Sequence, residues 1–103
     1  MEIREWCHRI LGGESLKDKL YTPEILTDYN PGPAVFWDMP SRLPHMKFST
    51  RSKKEKLPSL MALKDKDKRA ICLHRFAGHE LLAVEIMAYA LLAFPEAPKH
   101  FRR

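Results

Sequence analysis

The chain has 103 residues, 18 Lys and Arg against 13 Asp and Glu, a formal charge of +5, eight prolines and only two cysteines. That length suits a single small domain, and the mix of 45% hydrophobic and 30% charged residues is that of a soluble globular chain. Cys7 and Cys72 form no CxxC pair, which excludes a disulfide framework or a cysteine zinc site and fits a reducing, cytoplasmic setting.

Residues Glu2 to Leu11 place Ile3, Trp6, Cys7 and Ile10 at helical spacing, and Gly12-Gly13 supplies the stop. Charges interrupt this stretch, so it is no secretory leader. Ser15 can cap a second short helix reaching Leu20, before Pro23. The segment DYNPGPAVFWDMPSRLP carries four prolines, each biasing its predecessor toward extended geometry. It reads as an irregular arm whose Val35, Phe36, Trp37 and Met39 pack on the long helix. From His45 to Leu57 the chain is basic and polar, and flexibility is the expectation. SLMAL forms a helical turn, after which Asp65 or Asp67 caps a helix running to Phe94, about 28 residues or about 42 Å. Pro95 ends it, and Pro98 suits the first turn of a following helix. The expected class is all-α, with short helices and a proline-rich arm over 1–57, and the first long helix and the start of the next within 58–103.

The informative element is the long helix. With Glu80 at zero on a wheel advancing 100° per residue, Leu73, Phe76, Ala77, Ala83, Val84, Met87 and Leu91 fall within about 60° of it. A carboxylate in such a stripe is expected to be paired, protonated or metal-bound. Glu80 is therefore the first candidate ligand. Glu85 lies about 140° away and is the second choice; its plainer role is a partner for Arg75 or a solvated outer-face residue. His79 reads as a hydrogen-bonded neighbour of a ligand or a core histidine. His74 and His79 are five apart, not an i,i+4 pair, and His79-Glu80 opens no HExxH. Glu5 and His8 match Glu-x-x-His on a helix too short for a bundle, and Glu96 and His100 flank a proline. No GxGxxG, Walker loop or GxSxG is present.

The basic runs Arg51 to Lys56 and Lys64 to Arg69 are interspersed with acids and lack stacking aromatics, so they read as solvated surface rather than a nucleic-acid site. The longest apolar run, Leu81 to Phe94, is about 14 residues and contains Glu85, short of the roughly 20 of a membrane span.

The PGPA arm, the PSR segment, the His-x-x-Ala-x-His-Glu-Leu run from His74 to Leu81 and LLAFPEAP leading into FR together resemble the start of the bacterial ferritin-like proteins of domain of unknown function family 455. The resemblance covers most of Lys19 to Arg103. It implies the first long helix of an incomplete four-helix bundle, with Glu80 as a ligand of a di-metal iron or manganese site used in oxidoreductase chemistry. The Glu-x-x-His helices of such a site are not in this sequence. The chain is thus expected to be inactive alone and completed by self-association or by a missing C-terminal half. The alternative from a different class is a structural or interaction module with Glu80 in a buried ion pair, and a basic RNA-binding element stands behind both.

Overall fold

The computed structural model describes residues 1–47 and 57–103, and the described residues form an all-α fold. Helix α1 spans Ile3–Gly12, α2 Leu16–Lys19, α3 Lys66–Ala93 and α4 Lys99–Arg102, with 3-10 turns at Pro44–Met46 and Met61–Lys64. The particle measures 50 × 25 × 24 Å, its long dimension matching a 28-residue helix. The expected boundaries hold to within a residue or two. Asp65 is the cap of α3, its side chain accepting from the Asp67 amide at 2.9 Å, and Ser15 caps α2. The flexibility expected between His45 and Leu57, and the Arg51 to Lys56 run, fall largely or wholly outside the described residues.

The core lies where α1 crosses the C-terminal half of α3. Ile3, Cys7, Ile10 and Leu11 of α1 pack on Ala88 and Leu92 of α3, with Trp6, Val35, Trp37, Val84, Tyr89 and Leu91 at its margin. The arm is pinned at both ends. Arg4 donates to the carbonyls of Pro31 and Pro33, each at 3.0 Å, around Gly32, whose φ of +69° and closeness to the Arg4 guanidinium leave no room for a side chain. Farther along, the Val35 amide donates to Leu92 O at 2.9 Å, and Trp37 covers Gly12 and faces His8. Val35 meets the expectation of packing on the long helix; Trp37 packs at the core margin beside α1, Phe36 is mostly exposed although its ring faces Tyr89 of α3, and Met39 is exposed.

Helix ends within the core leave carbonyls that need donors. At the end of α1 they come from Gly13 N to Arg9 O, Lys19 Nζ to Ile10 O and Ser41 N to Leu11 O. Near the end of α3 they come from Arg102 to the carbonyls of Leu91 and Phe94, and from Val35 N. Cations 8 to 11 residues further along the chain than the carbonyls they reach thus help finish both core helices, and among the described residues no buried side-chain nitrogen or oxygen lacks a hydrogen-bond partner.

Candidate functional site

Helix α3 presents two apolar arcs. One, formed by Leu81, Glu85, Ala88 and Leu92, faces α1 and the loops and is the buried arc. The other is the arc containing Glu80, and it is largely uncovered. Leu73, Phe76 and Met87 are 69%, 54% and 60% exposed, and Glu80 between them is exposed. The Glu80 carboxylate makes no hydrogen bond or ion pair with another described residue. A buried ion pair at Glu80 is therefore corrected: its stripe points away from the core, because α1 is long enough to cover only one arc and only the second half of α3.

Glu85 makes the buried pair instead. Its Oε2 lies 3.0 Å from Lys19 Nζ and accepts from Arg42 Nε at 3.2 Å, while Oε1 accepts from Arg42 Nη2. Both cations are inside the fold, Lys19 almost completely. The expected pairing of Glu85 with Arg75 or water is corrected, since the 140° offset that separates it from Glu80 turns it into the core. Sequence reasoning missed Lys19 and Arg42. The available signal was Glu85 lying on one arc with Leu81, Ala88 and Leu92, which requires a counter-charge from elsewhere in the chain.

A second buried pair joins Asp28 of the arm to Arg102 of α4. Nε donates to Oδ2 at 2.8 Å and Nη2 to Oδ1 at 3.1 Å, a two-pronged contact, while Lys99 Nζ donates to Asp28 O at 2.7 Å. The Arg102 guanidinium holds the Asp28 carboxyl below the usual carboxylate range, and the carboxylate in turn raises Arg102 further. Burial pushes the Cys7 thiol up to about 11, which makes it a packing residue rather than a nucleophile. Burial, with a smaller contribution from Arg4, lowers His8. Its ring lies against Trp37, so Glu5 and His8 form no paired site.

The remaining candidates do not converge. His74, His79, Glu96 and His100 are exposed, and among the described residues no three His, Cys, Asp or Glu side chains come together as a metal-binding group. Glu80 alone supplies one carboxylate, and Glu85 is taken by two cations. The described residues of this chain do not by themselves fit a metal ion.

One concave feature is a groove of about 730 Å³ lined in part by Val84, Met87 and Leu91, the C-terminal half of the Glu80 arc. Trp6, Leu20, Tyr21 and Leu26, together with Phe101 and Arg103, also line it. The exposed Leu73 and Phe76 lie on the same arc of α3, with Glu80 between them and the groove. By length and composition α3 is also long and apolar enough to cross a membrane. No family model matches this chain, and neither the curated proteins nor the solved structures compared with it give a match.

Proposed function

We propose that this chain is a non-catalytic helical assembly module, in which α3 offers an apolar face to further helices. The observation that carries the reading is the uncovered arc of Leu73, Phe76, Glu80 and Met87. Exposed apolar side chains scattered singly need no explanation, but a row of them along one helix is the signature of a contact surface. The buried ion pairs brace the C-terminal half of α3 from the opposite side. A photo-crosslinker placed at Phe76, in cells making the protein, is expected to give a product of discrete mass, while one placed at Glu14, away from the arc, gives none. Recovery of uncrosslinked chain alone from the Phe76 variant would end the reading.

A second reading is favoured by one observation, the bare Glu80 carboxylate at the middle of that face. In a bundle completed by other helices, Glu80 would be the one ligand this chain adds to a di-metal iron or manganese site of oxidoreductase type, the other ligands coming from those helices. Elemental analysis of the assembled species tests it. Iron or manganese present with the native chain and absent with Glu80→Ala supports the ligand role, and metal content unchanged by that substitution removes it.

A further inference from the structure

We infer that the partner of the uncovered α3 face is a second copy of this chain, paired antiparallel about a twofold axis at Glu80, an inference that rests on the assembly role proposed above. Glu80 stands at the midpoint of Lys66–Ala93. Three, four and seven residues away on either side stand Ala77 and Ala83, Phe76 and Val84, Leu73 and Met87. An antiparallel pair centred on Glu80 therefore sets Leu73 against Met87, Phe76 against Val84 and Ala77 against Ala83, apolar on apolar at each step and in both halves at once. The alanines flanking the axis leave room in the seam for two carboxylates.

The lining of the groove matches this pairing. Leu73 and Phe76 are exposed on the N-terminal half of the stripe, outside the groove. Val84, Met87 and Leu91 of the C-terminal half line the groove together with Leu20, Leu26 and Phe101. A twofold axis at Glu80 sets the N-terminal half of each copy's stripe against the groove of the other. Leu20, Leu26, Leu73, Phe76, Met87 and Phe101 are between 39% and 77% exposed. At about 200 Å² for a whole side chain of this size they offer about 700 Å² per copy, within the per-partner range of a stable standard interface. The same face laid into a bilayer would carry Glu80 to the centre of the span, where a carboxylate is costly.

Sedimentation of the purified native chain in EDTA is expected to show a species of twice 12.0 kDa, and Glu80→Gln, which removes two facing charges, is expected to tighten it by about tenfold or more. Under mild oxidation Glu80→Cys is expected to give a disulfide-linked dimer. Leu73→Cys is not, because an antiparallel pair holds those two positions about 21 Å apart along the axis. The native chain, whose Cys7 and Cys72 are buried, serves as the control. A monomer in EDTA overturns the dimer, as does a monomer that moves onto phosphatidylcholine–phosphatidylglycerol vesicles. In either case a Phe76 crosslink whose mass differs from two chains keeps the assembly reading alone. Self-linking at Leu73→Cys overturns the antiparallel register.

Discussion

At the residue scale, two carboxylates on one helix have opposite fates. Glu85 is neutralised inside the fold by Lys19 and Arg42, and Glu80 is left bare on a surface that is otherwise apolar. Removing one member of a buried charge cluster strands the others. Glu85→Ala is expected to lose about 3–5 kcal/mol in urea unfolding, and adding Lys19→Met is expected to recover part of that loss. Simple additivity of the two changes would mean that the charges do not act on one another. Asp28 gives a pH prediction. Its carboxyl is held below the ordinary range chiefly by its hydrogen bonds to Arg102, so in acid the unfolded chain takes up a proton before the folded one does. The stabilisation is complete above about pH 5 and is lost as pH falls through about 4 and below. Glu2, lowered chiefly by its hydrogen bond from Thr27, acts in the same direction. Asp28→Asn is expected to reduce stability at neutral pH and to flatten the acid limb in a series of thermal melts, leaving the share of Glu2. An unchanged acid limb would locate the titration elsewhere.

At the element scale, helix ends were legible because caps and breakers are local chemistry. Ser15, Asp65, Pro95 and the paired Gly12-Gly13 mark boundaries in their own short stretches of sequence, and the structure ends or starts helices there. The face of α3 that is buried was less legible. Periodicity shows two apolar arcs, and the choice between them depends on where α1 and the arm land, which no window of a few residues contains. Lys19 and Arg42 were invisible for the same reason, their partner lying more than forty residues away. Gly78 supplies the test at this scale. It sits mid-helix with nothing within 4 Å of the place a Cβ would occupy, and it lies about 160° from the Glu80 direction. Gly78→Ala is expected to raise stability by about 1 kcal/mol and leave the solution mass unchanged. Destabilisation would reveal a contact on that side of α3.

At the scale of the whole molecule, four of the five buried residues of α3 lie from Glu85 onward, so the core serves one half of the rod. Hydrogen exchange is expected to find the amides of 66–80 less protected than those of 85–93 when the chain is dilute, with the difference shrinking at higher concentration. Equal protection at every concentration would mean that α3 is stable along its length without a partner. The arrangement that ties the ends together has a kinetic consequence. Arg102 grips Asp28 across 74 positions of sequence while also completing the end of α3. A chain emerging from the ribosome can coil α1 and begin α3 early, but the contact between the arm and α4 cannot form until Arg102 has been delivered. Assembly of this all-α fold therefore waits on loop closure over most of its length, and it is expected to be slower than that of helical domains built from neighbouring contacts.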